Sequence, residues 1–235
     1  MNRIKAVQRA LASRPNAVYL EIGVAQGVAF MRVAADEKIA VDPAFTMSPR
    51  TRRLADAKAR VTHYFETTSD AFFAEQGALL ERTGIDVALI DGLHTSEQAL
   101  RDVENTLRHL RDDGVIVVHD CNPARASIAT PADSYTDFRR RNHWWNVNWS
   151  GDVWKAVVHL CSFRPDLQVA VLDCDFGVGL VRRGVPESML SFTAEQIDAL
   201  SYEDLAADRE HLLNLKPAAH LDEFVAGPPP QRQAG

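Results

Sequence analysis

The stretches ALIDGLH (88–94) and VIVVHDCNP (115–123) each begin as an apolar run and finish in ionisable side chains. Asp91, His94, His119 and Asp120 therefore stand at the ends of two segments suited to buried strands. Near neutral pH an imidazole can take a proton from a hydroxyl. Clustered carboxylates repel one another unless something positive lies between them. A divalent cation held by carboxylate oxygens and water would serve, as would a positively charged ligand. A histidine satisfied by backbone at a strand end is the plain alternative for each residue taken singly.

A second constellation lies upstream in LEIGVAQG (20–27), where Gly23 and Gly27 follow an apolar run. Gly23 permits a sharp turn, and Gly27 permits close approach of a ligand or of the sheet. The next apolar run, KIAVD (38–42), ends in Asp42, nineteen residues after Gly23. A carboxylate there can accept hydrogen bonds from the vicinal hydroxyls of a ribose. The loop lacks the middle glycine of GxGxxG, which leaves less room for a pyrophosphate. Glu21 adds a carboxylate able to face a cation. A ligand with a ribose, a positive charge and no phosphate is S-adenosylmethionine. Tight turn and helix packing remain the alternative for the two glycines. Asp70 reads equally as a helix N-cap or as a contact to such a ligand.

Alternating apolar runs and helical spacings must position these residues. Strands are expected at 17–23, 38–42, 61–66, 85–91, 115–120, 168–173 and 176–184. Helices are expected at the N-terminus, at 27–37, at 50–59, after Ser69-Asp70, at 95–110, at 151–163 and within 191–215. Thr95 and Gln98 have the spacing of a capping box, and Asp152 that of a cap for the helix it precedes. The pattern is α/β: a Rossmann-like, doubly wound, seven-stranded sheet, mostly parallel with an antiparallel last strand, and helices on both faces. The last two strands are joined too closely for a parallel crossover. One domain spans 1–225, residues 121–150 form a lid or acceptor-binding insertion, and 226–235 read as a disordered tail.

The 235 residues carry a net charge of −6, which argues against a nucleic-acid partner. Three scattered cysteines without CxxC spacing read as free thiols in a reducing compartment. No apolar stretch is long enough to span a membrane, and the start lacks the features of a secretory signal, so a cytoplasmic location is expected. NHWWNVNWSGDVWK (142–155) holds all four tryptophans and three asparagines. Such a set suits a sugar or polycyclic acceptor, or else a packed flap.

ExGxxxG, an Asp closing the second strand, Ser-Asp after the third and a final antiparallel hairpin resemble the class I S-adenosylmethionine-dependent methyltransferases over about residues 17–183. That resemblance implies that Glu21, Gly23 and Gly27 line the methionine and ribose of the cofactor. It also implies that Asp42 holds the ribose and that Ser69 or Asp70 meets the adenine. IDGxH followed by an acidic pair after the fifth strand resembles the small-molecule O-methyltransferases, which include magnesium-dependent enzymes acting on sugars of natural products. Carried over, the resemblance makes His94 the base and places a divalent cation on Asp91 and Asp120, with His119 in place of the first acid of the pair. The expected partners are a small-molecule acceptor and, as in many enzymes of this class, a second copy of the chain. The same cofactor with a nitrogen, carbon or carboxylate acceptor is one rival reading. A nicotinamide-dependent oxidoreductase and a non-catalytic cofactor-binding partner are two others.

Overall fold

A computed structural model describes residues 1–142 and 148–227. The chain runs α1 (Arg3–Leu11), β1 (Val18–Ile22), β2 (Glu37–Asp42), α2 (Pro49–Asp56), β3 (Val61–Glu66), α3 (Ser69–Glu75), α4 (Gly77–Thr83), β4 (Ile85–Ile90), α5 (Ser96–His109) and β5 (Leu110–Val118). It continues with α6 (Tyr135–Arg141), α7 (Trp154–Phe163), β6 (Leu167–Leu172), β7 (Val178–Arg183), α8 (Ala194–Ala199), α9 (Tyr202–Ala207), α10 (Arg209–Leu212), β8 (Leu215–Lys216) and α11 (His220–Ala226).

The strands form one sheet in the order β3-β2-β1-β4-β5-β7-β6-β8. Only β7 runs antiparallel to its neighbours β5 and β6. Seven of the strands are those expected, and the two-residue β8, parallel to β6, makes an eighth. Two residues carry too little periodicity to be read from sequence.

Every residue of β1, β2 and β4 is buried, because both sheet faces are covered. Leu20, Ile22, Val41 and Ile90 point into one layer with Phe72 of α3, Val103 of α5 and Val157 of α7. Tyr19, Ala40, Leu89 and Val117 point into the other, with Val7 of α1, Ala55 of α2 and Leu221 of α11. Successive side chains thus alternate between faces, as the strand pleat requires.

The expected helix at 27–37 does not form. Residues 23–36 are a chain of turns between β1 and β2 that still buries Ala29, Phe30 and Val33. Lys38, fully buried in β2, explains the difference. Its ammonium donates to the carbonyls of Phe30 and Ala55 and lies 4.2 Å from the Phe30 ring centroid. The Phe30 carbonyl is therefore met by a side chain rather than by an amide one turn on. Burial lowers the Lys38 pKa to about 8, against the opposing pull of Glu21.

Residues 121–150 carry more structure than a plain loop, with a 3-10 turn at Ala126–Ile128 and α6. Trp144, Trp145 and Asn146 of the tryptophan-rich stretch lie outside the described residues, as does most of the expected tail. Of the remaining tryptophans, Trp154 is buried in α7 and Trp149 packs on Phe138.

If Lys38 organises the turns after β1, Lys38→Met should leave two buried carbonyls unmet. The expected loss is about 2–4 kcal/mol of unfolding free energy, read by urea titration.

Candidate active site

The crossovers leave β1 and β4 in opposite directions, so a cleft opens above the carboxyl ends of these neighbouring strands. A cavity of about 550 Å³ occupies it, lined by Gly23, Asp42, Ser69, Asp70, Asp91 and Asp102 among others. That volume lies in the range of small-molecule sites.

Asp42 is 7% exposed at the end of β2. Its Oδ2 accepts from Ala25 N and its Oδ1 from Ala44 N, both at 2.8 Å. It therefore fixes the loop after β1, where Ala25 is held at φ +45°, and keeps further lone pairs for hydroxyls in the cavity. Gly23 lines the cavity at φ +85°, and a Cβ on it would lie 2.1 Å from the Asp91 carbonyl oxygen. Only glycine lets the loops after β1 and β4 pass so closely. Gly27 lines neither this cavity nor the one beside Glu21. A Cβ there would strike Met47 Sδ at 2.4 Å, so its role is packing against the approach to α2.

At the far end, Thr68, not Ser69 or Asp70, caps α3. Ser69 Oγ accepts from Gln98 Nε2 at 3.1 Å, and the same amide donates to Asp102 Oδ1 at 3.0 Å. This diverts Gln98 from the expected capping box; Thr95 still accepts from Gln98 N at 3.4 Å. Burial raises the Asp102 carboxyl to about 6, although its bonds to Ser69 and Gln98 oppose the shift. Asp102 escaped the sequence reading because it sits on α5 among apolar positions, with no motif around it.

The second cluster gathers at an adjoining cavity of about 290 Å³, walled in part by Tyr135, Trp149 and Phe176. His119 Nδ1 lies 3.2 Å from Asp91 Oδ1 and 3.0 Å from Asp120 Oδ2, and its Nε2 lies 3.4 Å from Asp175 Oδ2. Burial opposes a charge on this ring. Asp91, Asp120 and Asp175 outweigh it and push the imidazole up to about 12, so His119 is an imidazolium. Burial likewise disfavours charge on Asp91, yet His119, His94 and Arg3 hold its carboxyl well below the usual range. The Asp175 carboxyl falls to about 2, chiefly through its bond to His119.

His94 is oriented from three sides. Its Nδ1 meets the Trp149 carbonyl at 2.5 Å and lies 3.5 Å from Asp120 Oδ2, while its Nε2 lies 3.7 Å from Asp91 Oδ1. Burial works against its charge, but the two carboxylates and the carbonyl raise its pKa above the ordinary value. The lid supplies further anchors. Ser150 Oγ donates to Asp120 Oδ1 at 2.9 Å, and Asp152 accepts from Ser96 N at 2.7 Å. Asp152 thus braces the start of α5, not its own helix α7, which has no side-chain cap.

Among the described residues, Asp91, His94 and Asp120 offer ligand atoms within 4.8 Å of one another. His119 does not belong to that set: its two nitrogens are turned to carboxylates of the protein, Nδ1 to Asp91 and Asp120 and Nε2 to Asp175. Both oxygens of Asp91 and of Asp120 already face protein donors, from Arg3, His119 and Ser150. A cation such as magnesium would have to displace them and would find imidazole where it prefers oxygen. The residues do not fit it.

The turns after β1 present no helix N-terminus, so the pyrophosphate site of a dinucleotide fold is missing from this loop. Residues 20–121 match a family described as a methyltransferase domain. A Podospora anserina methyltransferase, PaMTH1, solved with bound SAH, is 17% identical, with a TM-score of 0.50 over 77% of this chain and 76% of that one. A cofactor-bound protein from MTB, Rv0187, is 16% identical, with a TM-score of 0.52 over 77% of this chain and 78% of that one. This chain shares its fold with both. Comparison with curated proteins gives no match.

Gly151, at φ +57°, is the point where the lid crosses His94: a Cβ there would lie 1.7 Å from the His94 carbonyl oxygen. Gly151→Ala should push the lid off His94. Near-ultraviolet circular dichroism should then show a changed Trp149 environment while the far-ultraviolet spectrum stays constant.

Proposed function

We propose that this chain is a class I methyltransferase that transfers a methyl group from S-adenosylmethionine to a hydroxyl of a small molecule; the methyltransferase-domain match at residues 20–121 and the fold shared with a methyltransferase solved with SAH support the reading. A sugar or the sugar of a glycosylated natural product is the favoured acceptor. The observation that carries the reading is the setting of His94 in the wall of the second cavity, against Asp91 and Trp149, which line both cavities. The Trp149 carbonyl can only accept, so the neutral ring carries its proton on Nδ1 and donates it there in a hydrogen bond, which leaves Nε2 with a lone pair beside Asp91.

When bound, the cofactor supplies an electrophilic methyl group on a sulfonium. The protein's part is to place a hydroxyl in line with it and remove one proton. His94 Nε2 takes that proton, and Asp91 and Asp120 stabilise the resulting imidazolium. Asp42 holds the ribose while it fixes the loop after β1, and Ser69, Asp70 and Asp102 face the adenine end. Tyr135, Trp149 and Phe176 offer aromatic faces to an acceptor in a cavity sized for about one sugar ring. Arg3 and His119 supply the positive charge that a metal would bring, so no step needs one.

His94→Ala should lower turnover by about 10²- to 10⁴-fold and leave cofactor affinity within about two-fold. The base must be neutral and its pKa is raised. Activity should therefore fall as pH drops, with a midpoint above the ordinary imidazole value of about 6.5. Turnover in the mutant equal to wild type would remove His94 from the reaction.

Calorimetric titration with S-adenosylmethionine and with NADH, each with a chelator present, tests the class. Binding of the methyl donor alone, undiminished by chelation and weakened at least about ten-fold in Asp42→Ala, is expected. Binding of NADH alone would sink the reading.

A further inference from the structure

We propose that Arg3 binds the carboxylate of the cofactor's methionine moiety and thereby selects ligands with an intact amino-acid end. The proposal rests on the methyl-donor reading above. A cavity of about 280 Å³ adjoins the nucleoside cleft and shares Gly23, Ala25 and Asp91 with it. Among the described residues that line it, Glu21 and Asp91 are the acids and Arg3 is the one basic side chain. A zwitterionic amino-acid group needs both signs: an acid for its ammonium and a cation for its carboxylate. The wall provides each.

The guanidinium is incompletely used by the protein. Its Nε lies 2.9 Å from Asp91 Oδ2 as an ion pair, but this buried N–H has no aligned hydrogen-bond acceptor. Its Nη1 makes only long contacts, 3.4 Å to Asp175 Oδ2 and 3.4 Å to His119 Nε2. Its Nη2 has no partner among the described residues. A carboxylate accepts from two guanidinium N–H groups at once, and this fork is what arginine offers and lysine lacks.

Arg3 is also held in place. Its backbone N–H donates to Asp175 at 2.9 Å, Asn2 caps the helix it begins, and Ala6, Val7 and Ala10 bury that helix against the sheet. Such fixing lowers the entropy lost when a ligand binds. Glu21 in the same wall is 2% exposed and accepts from Tyr19 at 2.6 Å; burial pushes its carboxyl up to about 8, so an ammonium beside it would favour its ionised form.

The test compares S-adenosylmethionine with decarboxylated S-adenosylmethionine, which keeps the ammonium and sulfonium but lacks the carboxylate. Both are titrated calorimetrically into wild type and Arg3→Gln. The mutant should bind S-adenosylmethionine roughly ten- to a hundred-fold more weakly. It should bind the decarboxylated form as well as wild type or better, because a repelling cation is gone and Asp91 is freed. Equal weakening of both ligands would reduce Arg3 to a structural brace and overturn the proposal, as would unchanged affinity for both. If Arg3→Gln fails to fold by circular dichroism, Arg3→Lys is read the same way: selective weakening of S-adenosylmethionine supports the proposal and parallel changes overturn it. Failure of wild type to bind either ligand would sink the methyl-donor reading itself.

Discussion

Three carboxylates meet at one edge of the sheet, and the architecture of the site follows from keeping them together. Asp91 follows β4, Asp120 follows β5 and Asp175 sits in the turn between β6 and β7. Their mutual repulsion in a buried setting requires positive charge from within the chain. His119 answers two of them with one nitrogen and the third with the other. Arg3 reaches in from α1, so the N-terminal helix must dock for the site to exist. The β6–β7 turn must also bend sharply, and Asp175 and Phe176 both adopt left-handed backbone there, at φ +49° and +60°. That conformation is uncommon for a residue as bulky as phenylalanine. It places the acid beside His119 and Phe176 in the wall of the second cavity.

The sheet was legible because its central strands are buried on both faces and so read as unbroken apolar runs. The elements misread share a different feature. Ala29, Phe30 and Val33 have helical spacing, but a lysine from the next strand decides what their backbone does. Gln98 has a capping-box position, yet its amide finds Ser69 and Asp102 instead. Asp152 precedes a helix and serves another one. In each case a polar side chain had a local partner available and a distant one won, which local spacing cannot reveal.

The same division runs through the site. Asp91, His94, His119 and Asp120 could be found from sequence because strand ends at one sheet edge are brought together by topology alone. Arg3, Asp102 and Asp175 could not. Their places depend on how α1, α5 and the terminal hairpin pack, and none lies in a motif. The two glycines of the first loop show a finer version of this. Both looked suited to a ligand, but one makes room for the loop after β4 while lining the cleft, and the other makes room for Met47 and Thr51.

The charge of the cluster bears on the proposed ligand. Asp91, Asp120 and Asp175 against Arg3 and His119 leave one negative charge when His94 is neutral. A methyl donor with an ammonium, a sulfonium and a carboxylate carries one net positive charge, which the cluster would match. After transfer the sulfonium becomes a neutral thioether, and that match is lost, which favours departure of the product. A dication among these residues would reverse the balance and repel the sulfonium. His119, turned to three carboxylates, thus fits the proposed donor of this charge better than a metal would.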